Sequence, residues 1–282
     1  MKDMCVRGVR GALVMALAAL VSACAAAPTA PSATNPVLLR GVVPQGGAPV
    51  PPRDSLGLVN ALGATRFLAF GDSITVGVTS SFDGAFLFGA APGVDYPSQL
   101  DGLLESAFTT QDFLVDNFGL GAEEVQHALA NGRFAQAMAA KRPQGLLLLE
   151  GINDLNNGAS VPAVVAGLQQ MLDIAQLYNA TVLLGTMFQT CESTDPNTGR
   201  FRHNSVDLIV PFNSVLKAMA AGRLNVYVVD IFAAFGNNCS SAGGVGLLGG
   251  DGLHPSGNGY SVMAQTFGVA IRDRFPVRGS FQ

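Results

Sequence analysis

The chain has 282 residues, of which 49% are apolar and 13% are charged, and its formal net charge at neutral pH is −4. A chain with so many apolar and so few charged residues can bury a large core, which excludes an intrinsically disordered protein. The acidic balance argues against a nucleic-acid-binding protein, because such proteins need a basic face. A single α/β domain of about 200–250 residues is compatible with this length.

The N-terminus has the organisation of an export signal. Lys2, Arg7 and Arg10 precede an apolar run over residues 11–21, which is too short to span a bilayer. The run ends in Val-Ser-Ala-Cys, which resembles the lipobox of bacterial lipoproteins. This resemblance predicts a signal peptide over residues 1–23 and a lipid-modified Cys24. The alternative is ordinary signal cleavage at a nearby Ala-x-Ala-like site.

The segment that follows Cys24 shows no apolar periodicity. It is rich in Ala, Pro, Gly and Ser, above all at residues 25–32 and 44–52, a composition typical of an extended spacer. We therefore predict a tether over residues 24–62 and one folded domain over residues 63–282. The protein would be exported and lipid-anchored in the bacterial cell envelope, on its periplasmic or surface side, or would otherwise be secreted.

Strands and helices alternate through the predicted domain. Five apolar runs have the length and composition of buried strands. These runs lie at residues 65–70, 113–117, 145–150, 181–187 and 226–230. Helical spacing of apolar residues between them is most regular over residues 161–178, and a single helix beginning at Glu123 is predicted after the second run. Five such alternations predict one parallel sheet with helices on both faces, in a doubly wound form.

Polar residues follow several of these strands, at the edge of the sheet where open α/β folds bind ligands. Ser73 follows the first strand, residues 117–122 the second and residues 151–154 the third. Asp251 and His254 follow the last strand. Nucleophilic acyl transfer needs a hydroxyl, a base, a group that orients the base, and donors for the oxyanion. These segments contain residues of each kind.

The same segments resemble, in order and spacing, the four sequence blocks of the SGNH (GDSL) hydrolase family. The blocks span about residues 65–275 and are Gly71-Asp72-Ser73, Asn117 with its following glycines, Gly151-x-Asn153-Asp154 and Asp251-x-x-His254. The resemblance implies a flavodoxin-like three-layer α/β/α sandwich, in agreement with the alternation of five strands and helices.

The resemblance also implies the chemistry. It makes Ser73 the nucleophile, His254 the general base and Asp251 the group that orients His254. The oxyanion donors would be the backbone N–H of Ser73, a backbone N–H at the end of the second block, and the side chain of Asn153. Neither a metal nor a cofactor is implied.

The second block departs from the family pattern at one position. The family usually has glycine five residues after the asparagine, where this chain has Ala122, preceded by Gly121. Alanine can supply the same backbone N–H if its φ is negative, but it is strained if φ must be positive. We therefore predict Ala122 as the oxyanion donor, with Gly121 as the alternate.

Each candidate also has a simpler structural interpretation. His254 could merely satisfy a loop, and Asn153 and Asp154 could cap the segment that follows them. Asp72 is expected to be a turn residue or a hydrogen-bonding neighbour of the site rather than a catalyst. His203 lies in a loop that could overhang the site, but nothing in the sequence requires a role for it.

Two cysteines remain if Cys5 leaves with the signal peptide and Cys24 carries lipid. An exported protein with one such pair is a candidate for a disulfide. Cys191 and Cys239 lie in loops after the fourth and fifth strands, which should be neighbours at the same edge of the sheet. We predict that they pair and brace two long loops around the cleft.

The resemblance predicts an esterase that forms an acyl-enzyme on Ser73 and acts on a small-molecule or polysaccharide ester. Its substrate could be a lipid ester, a thioester or an acetylated sugar, because one site geometry serves all three. Phe82, Phe86 and Phe88 could form a wall for an acyl group or could simply pack their loop onto the domain. The alternative function is a non-catalytic envelope lipoprotein that binds a glycan or acyl chain in the same cleft. The complete catalytic set argues against that alternative.

Overall fold

A computed structural model of the protein describes residues 61–80, 86–87, 93–193, 202–237, 239 and 246–276. The predicted signal peptide, Cys24 and all but the last two residues of the predicted tether lie outside the described residues, as do Phe82 and Phe88. Within the described part of the chain, no helix has both the length and the apolar character needed to cross a membrane.

Leu62, at the predicted end of the tether, already packs with the folded domain. Its side chain is buried. The side chain of Gln111 pairs with the Leu62 backbone, accepting from its N–H and donating to its carbonyl oxygen. The folded part of the chain therefore includes Leu62.

Five strands form a parallel sheet. In chain order, the strands of the described residues are β1 (Arg66–Gly71), β2 (Thr79–Ser80), β3 (Phe86–Leu87), β4 (Leu114–Gly119), β5 (Gly145–Leu149), β6 (Thr181–Gly185) and β7 (Val226–Val229). The sheet order is β4-β1-β5-β6-β7, and β2 and β3 form a separate antiparallel pair. Counted along the chain, the sheet strands stand second, first, third, fourth and fifth, which is the flavodoxin-like order.

Helices cover both faces of this sheet. They are α1 (Ser73–Val76), α2 (Tyr96–Ala107), α3 (Val125–Ala130), α4 (Arg133–Lys141), α5 (Ile152–Asn156), α6 (Val161–Leu177), α7 (Ile209–Ala221), α8 (Ile231–Ala234) and α9 (Gly257–Arg274). Helices α2 and α8 pack against α9, whereas α3, α4, α6 and α7 form a second group. The predicted three-layer α/β/α sandwich with a five-stranded parallel sheet is confirmed.

Burial explains why the central strands are continuous apolar runs. Every residue of β5 is buried, and so is β1 from Phe67 onward. Both strands lie inside the sheet, where helices cover the two faces and no side chain reaches water. The carboxyl ends of β1 and β5 therefore deliver their following loops to the same edge.

One predicted helix is divided in two. The segment after the second sheet strand forms α3 and α4 rather than a single helix beginning at Glu123. Gly132, which precedes α4, has φ of +74°, a left-handed conformation that interrupts the helix, and the side chain of Asn131 accepts a hydrogen bond of 2.9 Å from the N–H of Arg133. The break changes the direction of the chain just before Arg133, with consequences for the site.

Candidate active site

Ser73 stands at the turn between β1 and α1. Asp72 caps α1, because its Oδ1 accepts a hydrogen bond of 2.8 Å from the N–H of Ile74. Gly71, the last residue of β1, has no room for a side chain, since a Cβ there would overlap the carbonyl oxygen of Leu149 in β5. The close approach of the two strand ends holds Ser73 at the carboxyl edge of the sheet.

His254 faces Ser73 across this edge. The Oγ of Ser73 lies 2.9 Å from Nε2 of His254, and Nδ1 of His254 lies 2.5 Å from Oδ2 of Asp251. The other carboxylate oxygen of Asp251 accepts from the N–H groups of Leu253 and His254, each at 3.0 Å. The three predicted catalytic residues thus form one hydrogen-bonded chain, with Ser73 9% exposed.

The environment of Asp251 keeps its carboxylate ionised. Burial alone would raise the pKa of Asp251, but the hydrogen bond and charge of His254 and the two backbone N–H donors lower that pKa to about 2. An ionised carboxylate accepts the proton on Nδ1 of His254. Nε2 is then free of its proton and can accept the one on the Ser73 hydroxyl.

Asn117 joins the second predicted block to the first. Its Nδ2 donates to the carbonyl oxygen of Thr75, at 2.8 Å, and to Oδ1 of Asp95, at 3.1 Å. Its Oδ1 accepts from the N–H of Gly119. The asparagine amide therefore ties the end of β4 to α1 and α2 and sets the start of the loop that leads to Ala122.

Ala122 adopts the left-handed backbone conformation, with φ of +59°. Alanine would be unstrained here only if its φ were negative, so Ala122 does not meet that condition. An L-residue in this region costs roughly 1–2 kcal/mol relative to the right-handed conformation. At Gly121, by contrast, a Cβ would meet no atom within 4 Å. The assignment of the backbone donor to Ala122 or Gly121 stays a prediction.

Asn153 lies in the first turn of α5, and its amide is oriented by the loop of the second block. Nδ2 donates to the carbonyl oxygen of Glu123 at 2.9 Å and lies 3.4 Å from Oδ2 of Asp72. The next residue, Asp154, has a different function. Its Oδ2 accepts from the N–H of Val125 at 3.0 Å, so it caps α3 rather than the segment that follows it.

Arg133 connects the ends of β1 and β4 to the loop that contains Glu123, although sequence reasoning did not single it out. Its guanidinium makes two hydrogen bonds to the carboxylate of Glu123, and it also donates to the carbonyl oxygens of Phe118 and Gly71. It lies 4.0 Å above the ring of Phe70. No sequence signal points to these contacts, because Arg133 and Glu123 meet only through the break between α3 and α4.

Buried carboxyl groups lie close to these loops. Burial raises the pKa of Asp72 to about 7, against the hydrogen bond from Ile74 and the charge of His254, which lower it. Burial also raises the pKa of Glu150 well above its ordinary value. One oxygen of Glu150 accepts from the N–H of Gly151, and the other has no hydrogen-bond partner among the described residues. A neutral side chain at Glu150 avoids an uncompensated buried charge.

Cys191 and Cys239 form a disulfide in the structure, with their Cα atoms 5.5 Å apart. His203 is buried and lies against the turn that contains Asp251. Within the described ranges, no group of His, Cys, Asp and Glu side chains has a geometry that could hold a metal ion.

Comparisons with known proteins identify the family and the fold. The sequence matches the model of the GDSL-like lipase/acylhydrolase family over residues 69–262. A lipase/acylhydrolase from Enterococcus faecalis is 21% identical, with a TM-score of 0.57 over 76% of this chain and 100% of that chain. A psychrotrophic esterase from Pseudoalteromonas sp. is 17% identical, with a TM-score of 0.54 over 73% and 96% of the two chains.

An acetylxylan esterase from Geobacillus stearothermophilus is 22% identical, with a TM-score of 0.55 over 74% of this chain and 95% of that chain. At these identities the three structures show a shared fold. The comparison with curated proteins found no match.

Proposed function

The chain belongs to the GDSL-like lipase/acylhydrolase family, and we propose that it hydrolyses carboxylic esters through an acyl-enzyme on Ser73. The observation that carries the proposal is the hydrogen-bonded chain from Ser73 through His254 to Asp251, with distances of 2.9 and 2.5 Å. A serine hydroxyl is a weak nucleophile until a neighbouring base takes its proton. The family match supports ester hydrolysis in general, and the chain of contacts supports the assignment of roles.

In the proposed reaction, Nε2 of His254 accepts the proton of Ser73 as Oγ attacks the ester carbonyl carbon. The tetrahedral intermediate collapses when His254 returns this proton to the leaving alcohol, and the acyl group stays on Ser73. His254 then takes a proton from water, which attacks the acyl-enzyme, and the acid is released as Oγ regains its proton. Asp251 holds the imidazole in the required tautomer throughout.

Acylation and deacylation each pass through a tetrahedral intermediate with a negatively charged oxygen. This oxygen would be stabilised by the Ser73 N–H, by the N–H of Ala122 or Gly121, and by the Asn153 side chain. Donors that are already oriented lower the barrier because they need no rearrangement during the reaction. The hydrogen bond from Asn153 to the carbonyl of Glu123 supports this role, since it orients the amide. The second hydrogen of this amide is directed at Oδ2 of Asp72, at 3.4 Å, and an oxyanion would take the place of this longer contact.

The test is the Ser73→Ala variant, assayed with p-nitrophenyl acetate. Loss of the nucleophile should lower kcat by at least about 10³-fold, as in other serine hydrolases whose acyl-enzyme cannot form. Ser106→Ala, which removes an exposed hydroxyl on α2, is the matched control and should keep wild-type turnover. A fluorophosphonate probe should label the wild type but not Ser73→Ala. Equal turnover of the wild type and Ser73→Ala would refute the mechanism.

We propose further that the protein is exported and held in the cell envelope by a lipid on Cys24. Support comes from the basic residues before the apolar run at 11–21 and from the Val-Ser-Ala-Cys sequence that ends it. Labelling with radioactive palmitate should mark the wild type and not the Cys24→Ala variant. Equal labelling of the two proteins would contradict the anchor and leave ordinary secretion.

The substrate class follows from neither the catalytic chain nor the fold, because the same site serves several esters. An acyl lipid and an acetylated envelope or plant polysaccharide are the two proposed classes. Turnover of p-nitrophenyl esters of increasing chain length, measured beside acetate release from acetylated xylan, distinguishes them. The non-catalytic binder is not favoured by the family match.

A further inference from the structure

The turn that contains Asp251 and His254 is held from behind by three side-by-side hydrogen bonds. The carbonyl oxygens of residues 250, 251 and 252 accept, in that order, from Ser193 Oγ at 3.2 Å, His203 Nε2 at 2.7 Å and the N–H of Cys191 at 2.8 Å. We call Cys191, Ser193 and His203 the clamp residues. A carbonyl oxygen can only accept, so Nε2 of His203 must carry a proton.

The clamp is packed tightly against the turn, and two of its three residues are buried. Ser193 is 3% exposed, His203 8% and Asp251 6%. Gly252 has φ of +68°, and a Cβ there would overlap the carbonyl oxygen of Cys191. Backbone therefore lies directly against backbone, which only glycine permits at this φ. A buried hydrogen bond of this kind cannot be replaced by water if its donor is removed.

Two further links hold the clamp residues in place. The disulfide from Cys191 to Cys239 joins them to the segment that follows β7. The hydroxyl groups of Thr190 and Ser205 lie 2.9 Å apart, and both residues are fully buried. The hydrogen bond between them joins the residue before Cys191 to the segment that follows His203. The clamp thus has covalent and polar support of its own, independent of the catalytic loop.

Asp251 is the point on which these contacts converge. Its backbone N–H donates to Oγ of Ser80 at 3.2 Å, its carbonyl oxygen accepts from His203, and its carboxylate accepts from His254. Fixing the N–H and the carbonyl of Asp251 fixes the direction of its Cα–Cβ bond, and the N–H groups of Leu253 and His254 hold its carboxylate. The distance between Oδ2 of Asp251 and Nδ1 of His254 therefore depends on the clamp.

We propose that His203 is a positioning residue of the reaction, which holds Asp251 so that its carboxylate meets His254. His203 acts from behind the turn through the backbone of Asp251. Loss of its donor should therefore lower kcat and leave KM unchanged. A displacement of about 1 Å in a catalytic group can cost about 10²-fold in rate. The kinetic part of this inference rests on the proposed ester hydrolysis, whereas the geometric part does not.

The matched pair of variants is His203→Gln and His203→Met. The two side chains have the same length, but only glutamine can donate to the Asp251 carbonyl oxygen. We expect His203→Met to lower kcat by about 10- to 100-fold at constant KM, and His203→Gln to recover most of this loss. His127→Ala, at an exposed position of α3, is the control and should match the wild type. A folded His203→Met protein with wild-type kcat would overturn the proposal.

A spectroscopic readout separates this inference from the proposed function. The hydrogen bond between His254 Nδ1–H and Asp251 should give a far-downfield proton resonance, visible without any substrate. We expect the wild type and His203→Gln to show it and His203→Met to lose it. If the wild type shows the resonance but hydrolyses no ester, the proposed function fails and the resonance alone decides the role of His203. Retention of the resonance in His203→Met would overturn that role.

Circular dichroism establishes whether each variant is folded. If His203→Met does not fold, the double variant Cys191→Ala, Cys239→Ala takes its place, since it removes the covalent support of the clamp but keeps every hydrogen-bonding backbone group. We expect the double variant to show a lower kcat at constant KM and a weakened resonance. Wild-type values of both in the absence of the disulfide would contradict the proposed clamp.

Discussion

Ala122, one of the two predicted backbone donors to the oxyanion, has a strained backbone conformation. Its backbone N–H does not depend on its side chain, but its φ of +59° is a conformation that glycine adopts more readily. The family usually has glycine at the corresponding place. The strain is confined to the loop between β4 and α3.

Replacing Ala122 by glycine should therefore stabilise the protein. Relief of the left-handed strain is worth about 1–2 kcal/mol, and the greater freedom of glycine in the unfolded chain costs about 0.5–1 kcal/mol. We expect the free energy of unfolding to rise by about 0.5–1 kcal/mol, measured by urea denaturation. Ala122→Gly keeps its N–H, so turnover should be retained.

Gly121→Ala is the matched control, because a Cβ at that position meets nothing within 4 Å. It isolates the effect of glycine's freedom in the unfolded chain, so its free energy of unfolding should rise by about 0.4–1 kcal/mol. An Ala122→Gly protein less stable than the wild type would show that residue 122 is not strained.

At the scale of elements, the break between α3 and α4 matters most to the site. It sends Arg133, the first residue of α4, back toward the ends of β1 and β4. There the guanidinium neutralises Glu123, whose side chain is only 1% exposed. Because the carbonyl of Glu123 orients Asn153, this ion pair supports a predicted oxyanion donor from outside the cleft.

Removing Arg133 should therefore destabilise the fold strongly. Arg133→Gln leaves the buried carboxylate of Glu123 without its cation, and loss of one partner of a buried pair costs about 3–5 kcal/mol. We expect a loss of about 3 kcal/mol in the free energy of unfolding, because Arg133 itself is partly exposed. The double variant Arg133→Gln, Glu123→Gln should recover part of the loss, since it contains no unpaired charge.

Arg223→Gln is the control for this cycle. Arg223 pairs with Asp173, whose side chain is 63% exposed, so its removal should cost less than about 1 kcal/mol. Equal effects of Arg133→Gln and Arg223→Gln on guanidinium denaturation would contradict the supporting role of Arg133.

At the scale of the whole molecule, the buried carboxyl groups make stability depend on pH. Burial raises the pKa of Asp72 in the folded protein from its ordinary 3.8 to about 7, so folding favours the protonated form of this side chain. Its contribution to stability is fully present below about pH 4 and is lost as the pH rises toward about 7. Asp251 has the opposite sign. Its pKa is lowered to about 2, so its contribution is lost only as the pH falls below its ordinary 3.8.

We therefore expect the free energy of unfolding of the wild type to fall between pH 5 and pH 8. The Asp72→Asn variant should show a smaller fall, because asparagine does not titrate and can still cap α1 through its side-chain oxygen. Glu150 has a raised pKa as well, so part of the decline should remain. Urea denaturation at the two pH values measures the difference.

Asp112→Asn, at an exposed position, is the control and should keep the wild-type dependence on pH. If Asp72→Asn shows the same decline as the wild type, Asp72 is ionised in the folded protein over the whole range.

Sequence alone was enough to predict a doubly wound parallel sheet and the groups brought to its edge, and the family resemblance implied the flavodoxin-like form of that sheet. Continuous apolar runs such as residues 145–149 are buried on both faces, and parallel strands place their following loops together. This is why Ser73 and His254, 181 residues apart, could be expected to meet. The divided helix at α3 and α4 was not predicted, because apolar spacing does not show where a left-handed residue such as Gly132 interrupts a helix.

Other features were decided only by the tertiary structure. The φ of Ala122, the contacts of Arg133 and the hydrogen bond from His203 to the Asp251 carbonyl depend on how separate loops pack against each other. Local spacing carries no information on such contacts, because their partners lie far apart in the chain or on opposite sides of a turn. Residue order determined which chemical groups reach the edge of the sheet. Packing of the loops decided how these groups are oriented, how deeply they are buried and which residues hold them in place.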